Sequence, residues 1–261
     1  MLGFLSALRR HRDLLFMLTW RDIRIKYKQS VMGLLWAVLM PTLIVSAGLV
    51  VKLGLARVSG RQVQLSQLAT VSLKALPWAF IVSAVRFSTT SLTSNVNLVT
   101  KVAFPRAVFP IAATLSALFD FGVASVIVTI VLCVSHVGVS WLLLWVPVFL
   151  VLLVAQAAGA ALLLSAANLF FRDVKYIVEV VMTFAIFFTP VFYEASMFGP
   201  WEKVLMLNPV APLLEGLNAV VVLHRAPDAH WTLYAAGWAV ALLLLGPTVF
   251  QRLEPQFAES I

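Results

Sequence analysis

Apolar residues run in long blocks through this chain, and short polar stretches separate six blocks of a length that crosses a bilayer. A helix rises ~1.5 Å per residue, so roughly 20 residues cover ~30 Å of hydrocarbon. The blocks fall at 31–51, 69–87, 107–134, 141–169, 176–192 and 231–250. The second is the poorest, because Lys74, Pro77 and Arg86 interrupt it. The pattern predicts an all-α integral membrane protein, a single domain over 1–261 with six transmembrane helices.

Three further elements follow from the residues between the blocks. In the leader 1–30, Phe16, Trp20, Ile23 and Tyr27 recur at helical spacing, and Arg21, Arg24 and Lys28 are expected on the opposite face. Such a helix lies in the interface plane, apolar side in lipid and basic side toward headgroups or a partner. In the link 88–106, polar Asn95, Asn97, Thr100 and Lys101 alternate with Val96, Leu98, Val99 and Phe104 before Pro105 ends the run. A short helix across the ends of two spans suits that pattern and could transmit force from an attached domain; a solvated connector is the plainer alternative. The segment 193–230 is too apolar in its middle for a free loop, yet Pro200, Pro209, Pro212 and Gly216 break it and Glu202, Lys203 and Glu215 charge it. Short re-entrant helices dipping back into the outer leaflet fit, with a cap lying on the surface as the other reading.

Composition supports the class. The chain is 62% hydrophobic and 11% charged, against about 45–50% and about 25% in soluble domains. The net charge of +8 sits beside the spans rather than on a polar domain; lipid headgroups and topology account for it better than nucleic acid. With both termini cytoplasmic, that side carries 12 Lys and Arg residues and the other side 5, the bias that the positive-inside rule predicts. Arginines and lysines interrupt the leader, so a cleavable signal is not expected. The single cysteine, Cys133, allows neither an intramolecular disulfide nor a cysteine-based metal cluster.

Candidate chemistry is sparse. No glycine-rich phosphate loop is present, so an ATP-driven process would need its motor on another polypeptide. Asp120 stands 14 residues past Arg106, roughly 21 Å along a helix. Lys74 and Arg86 of the second span are its expected partners in a structural ion pair, with a proton relay as the alternative. Phe184, Phe187, Phe188 and Phe192 share one face of the fifth span. Helix packing explains them, and so does a conduit wall on which sugar rings slide; Trp78 and Tyr193 join that candidate wall. His224, Asp228 and His230 match no metal template, and no convergent set of acids and bases suggests an enzyme acting on lipid-linked sugars. Trp141, Trp145 and Trp231 fall at outer span ends, where interfacial anchors belong.

Several separated motifs carry a family resemblance. The run 21–36, RDIRIKYKQSVMGLLW, followed by Met40 and Pro41, resembles the opening of ABC-2 type permeases that export polysaccharides. The stretches 97–106 (NLVTKVAFPR) and 171–174 (FRDV) resemble their two cytoplasmic links, and 189–193 (TPVFY) with 207–209 (LNP) their outer region. The resemblance implies a channel-forming subunit of an exporter for O-antigen, capsule or teichoic acid in the bacterial inner membrane. Two copies would form the channel above two copies of a separate ATPase, which would hold the ATP and Mg; this chain would need no cofactor. The ATPase-docking residues it implies are Arg21, Asp22, Arg24 and Lys28 on the leader, Asn97, Lys101, Phe104, Pro105 and Arg106 on the first link, and Arg172 and Asp173 on the second. A drug or lipid exporter of the same superfamily is the competing expectation.

Overall fold

A computed structural model describes residues 2–28, 33, 35–59, 65–101 and 104–258. Among these the chain is helical and no strand occurs. The helices are α1 (Leu2–Arg10), α2 (Arg12–Lys28), α3 (Leu35–Ser59), α4 (Leu65–Thr90), α5 (Val96–Lys101), α6 (Val108–Val134), α7 (Val146–Phe170), α8 (Val174–Phe188), α9 (Glu202–Met206), α10 (Ala211–Val221) and α11 (Ala229–Leu253). Among the described residues, four stretches are long and apolar enough to cross a membrane: Gln67–Thr90, Val108–Val134, Trp141–Phe170 and Ala229–Phe257. They correspond to the second, third, fourth and sixth expected spans. Val31, Met32, Leu34 and Arg61 lie outside the described residues, so the first expected span is represented by α3.

Local chemistry sets the helix limits. Ser140 accepts a hydrogen bond from the Leu142 N–H at the turn Trp141–Trp145, and Pro147 then occupies the first turn of α7, where a missing N–H costs nothing. The Asp228 carboxylate accepts from the N–H groups of His230 and Trp231 and starts α11. The fifth expected span ends early. Thr189 is extended (φ −112, ψ 133) because Pro190 follows it and disfavours the helical region for the preceding residue. Helix α8 is therefore 15 residues long, or ~22 Å.

Helix α4 runs through the middle of the bundle. Its Leu73, Leu76, Phe80 and Ile81 share one core with Phe149 and Leu153 of α7 and with Leu213, Leu217 and Val220 of α10. Nine of the 11 residues of α10 are buried, and Gly216 lies so close to the Phe149 ring that a Cβ would come within 2.4 Å of it. The segment before α10 is stitched down as well. Asn208 Nδ2 donates to Thr189 Oγ1 (2.8 Å), and buried Gln156 of α7 donates to the carbonyls of Pro209 (3.2 Å) and Ala235 (3.0 Å).

Helices α7 and α11 meet backbone to backbone. A Cβ on Gly159 would fall 2.5 Å from the Leu242 carbonyl, and one on Gly246 would fall 2.7 Å from the Gly159 oxygen. Small residues permit such approach, the geometry that membrane helices use in place of a hydrophobic driving force. Gly159→Val is accordingly expected to cost about 3 kcal/mol through forced separation of the two helices. Gly237→Val, on the same α11 but facing open space, should leave thermal unfolding in detergent unchanged.

Candidate functional site

The leader, both links and the chain end gather at one end of the bundle. Phe4 and Leu18 of the leader share a core with Leu92 and Val99 of the first link, Phe109 and Ala112 of α6, Leu169 of α7, and Phe250 and Phe257. The first link folds into the turn Thr93–Asn95 and the one-and-a-half-turn α5. Asn97 is exposed there, while the side chain of Lys101 and residues Val102 and Ala103 lie outside what is described. Phe104 turns toward the bundle. It is half-buried against Phe109, with ring centroids 5.5 Å apart. Pro105 is likewise half-buried. Arg106 is tied inward: its backbone N–H donates to Glu254 Oε1 (2.7 Å), Nη1 to the Glu254 carbonyl (2.7 Å) and Nε to the Val99 carbonyl (3.1 Å). Arg172 and Asp173 are exposed. A polar groove of about 430 Å³ runs between the two links, lined by Thr90, Thr93, Ser94, Asn168, Arg172 and Lys175.

The leader helix is arranged differently from its expected stripe. Leu18 and Ile23 are buried, whereas Phe16 (69%) and Trp20 (45%) are exposed. Arg24 shares that outer face and stands over the Trp20 ring at 5.7 Å. Four residues at ~100° each bring it only about 40° round from Trp20, so Arg24 was never on the face opposite that ring. Lys28 is exposed, and Arg21 pairs with its neighbour Asp22 at 2.9 Å.

The inner face of α2 ends on Asp120. Lys26 Nζ lies 3.0 Å from Asp120 Oδ2, and the Tyr27 hydroxyl donates to Oδ1. Burial first, then the hydrogen bond and the negative charge of Asp120, push the Tyr27 phenol well above its ordinary pKa, so it stays protonated and donates. The expected pairing of Asp120 with Lys74 or Arg86 does not form. Phe121 sits against Phe80 (5.6 Å), which sets Asp120 level with that part of α4; Lys74 is six residues further along, ~9 Å away. Arg86 points to α8 instead, with Nη2 3.0 Å from Glu179 Oε1 and 2.8 Å from Thr183 Oγ1.

Lys74 has a partner that the sequence reading passed over. Its fully buried ammonium donates to Glu215 Oε1 (2.9 Å) and to the Tyr193 carbonyl (2.9 Å), while the Ala195 N–H donates to the same Glu215 oxygen (2.9 Å). This network fastens 193–195 and α10 to the middle of α4. Glu215 was visible as one of two acids, with Glu202, in the apolar middle of 193–230.

The aromatic residues divide into two groups. Phe184, Phe187 and Phe188 are exposed on α8 (58%, 65% and 68%). Phe192 lies beyond the helix end and packs with Trp78, Val191 and Leu214. Trp78 is itself 3% exposed, so it lines no open surface of this chain. Tyr193 is half-buried, its hydroxyl donating to the Phe187 carbonyl (2.8 Å) and its ring 4.9 Å from Phe198.

The sequence pattern that defines the ABC-2 type transporter family matches residues 13–222, from the leader helix through the end of α10. The chain belongs to the ABC-2 type transporter family. It is 29% identical to the O-antigen export system permease protein RfbA of Myxococcus xanthus over 265 residues, covering 100% of both chains. Two proteins of the same description from Klebsiella pneumoniae are 25% and 26% identical over 254 residues, 95% of each chain. The ABC-2 match takes in nearly all of α2, both links, the Asp120 cluster and the Lys74–Glu215 network. It identifies the molecule as a multi-pass membrane subunit of an ABC transporter.

Proposed function

We propose that this chain is the channel-forming permease of an ATP-driven exporter that carries a cell-surface polysaccharide, borne on a lipid, across the bacterial inner membrane. The observation that carries the reading is the end-to-end similarity to O-antigen export permeases. Two copies enclose the path and two ATPase subunits bind at the end where leader and links gather. The charge bias of the sequence supports a cytoplasmic placement of that end, with both termini there. Arg21, Arg24, Lys28, Asn97, Arg172 and Asp173 form the docking face. The buried α10 and the turns around it re-enter the outer leaflet, and the exposed aromatic stripe of α8 faces the polymer.

Reversing charge at Arg21 and Arg24 together should abolish co-purification of the ATPase while the permease still inserts. Normal complex yield from that double variant would remove the docking face. The substrate class is tested by deleting the gene and analysing surface glycans. Loss of a polysaccharide with its precursor accumulating inside is expected; an intact glycan coat with altered drug or lipid efflux would favour the competing exporter reading.

A further inference from the structure

Asp120 gathers two consecutive side chains from a helix 93 and 94 residues away in sequence. Lys26 and Tyr27 both lie in the last turn of α2, and Lys26 also stands over the Phe87 ring of α4 at 4.3 Å. The carboxylate on α6 and the Phe87 ring on α4 therefore meet at Lys26 and hold the end of the leader helix to two helices of the bundle at once. The remaining contacts of α2 are of another kind. Leu18 and Ile23 bury apolar surface, which is non-directional and tolerates sliding. Charge-assisted hydrogen bonds are short and directional, so they fix register where apolar contact does not. The outer face of the same helix, with Phe16, Met17, Trp20 and Arg24, is exposed.

We propose that Asp120 is a positioning residue for energy coupling: it clamps the end of α2 to α4 and α6, so that displacement of α2 by a motor on its outer face moves the spans. The inference rests on the ATP-driven reading above and adds a route for the force. Without the clamp the motor still binds and still hydrolyses ATP, but α2 slips over Leu18 and Ile23 and the bundle does not follow. This differs from a packing role, in which loss of the carboxylate lowers stability and leaves work per ATP unchanged. It differs from a proton relay, in which the carboxyl group itself is needed at position 120.

The test uses the wild-type chain purified together with its ATP-hydrolysing subunit and reconstituted in vesicles. ATP hydrolysed per polymer chain exported is measured beside thermal stability and subunit yield. Asp120→Asn should raise the ATP consumed per chain roughly tenfold with subunit yield unchanged, since the fixed register is lost while the outer face is intact. Exchanging the charges, Lys26→Asp with Asp120→Lys, should bring the ratio back to within about twofold of wild type. Should Asp120→Asn not insert, Lys26→Gln changes only the leader and should raise the ratio in the same direction. An unchanged ratio in either folded variant overturns the clamp. A raised ratio that the charge exchange does not restore overturns it in favour of the relay. A wild-type chain that captures no ATPase fails earlier and refutes the reading beneath the proposal, so the two failures are distinguishable.

Discussion

Glu215→Leu is expected to destabilise the permease by about 3–5 kcal/mol, because it leaves the fully buried Lys74 ammonium without its counter-charge. The Tyr193 carbonyl remains as an acceptor, but a dipole does not replace a carboxylate at that depth. The same change orphans the Ala195 N–H, a loss of about 1–3 kcal/mol in its own right. Adding Lys74→Met removes the stranded charge and should recover most of the first loss, because a buried pair replaced by apolar residues of similar volume is close to neutral. Thermal unfolding of the two single variants and the double in detergent measures this directly. Equal destabilisation by the single and the double changes would mean that the pair contributes nothing and that Glu215 matters only to the backbone at Ala195.

Thinning Phe187 and Phe188 to Ala should act on transport instead of folding. Both side chains stand exposed on α8, so little buried surface is lost and the unfolding temperature should hold. Aromatic faces contribute ~0.5–1.5 kcal/mol each in stacking, so removing two of them should reduce export of long chains by about tenfold. The length distribution of surface polysaccharide reads this out. Single cysteines at 184, 187 and 188 in a Cys133→Ser background add a second measure through labelling by a membrane-impermeant thiol reagent during export. Unchanged export, with the whole stripe protected from the reagent, would assign these rings to packing against lipid or a second copy.

The sequence exposed those parts of the fold that local pattern determines. Apolar length located α6, α7 and α11 to within a few residues, since a span is a run of side chains compatible with hydrocarbon. It overran at Thr189, where a single proline outweighed the apolar residues that continue to Phe192. That one boundary detached Phe192 from the stripe. Pairing was less legible than position. Asp120, Lys74 and Arg86 were each recognised as charges in or beside spans, but the partner of each depends on relative helix height and rotation, which no linear pattern records. Tyr27 falls on the apolar stripe of an interface helix by periodicity and Lys26 on neither of its named faces, and nothing in that periodicity indicates which face the bundle covers. Phe104 and Arg106 carry the same lesson: they fall in a link of the expected kind, yet one side chain turns onto Phe109 and the other onto Glu254, 148 residues on.

The glycine contact between α7 and α11 also limits how the molecule changes shape. Where side chains interdigitate, helices can slip by switching rotamers; where the Gly159 backbone rests on Leu242 and Gly246, there is no rotamer to switch. These two helices are mechanically one strut. Any opening wide enough for a polymer must then come from elements held more lightly, such as the short α8, whose outer face is unsupported by this chain. Helices α7 and α11 would serve as the stator of the machine, and a disulfide or crosslink between them should leave transport untouched.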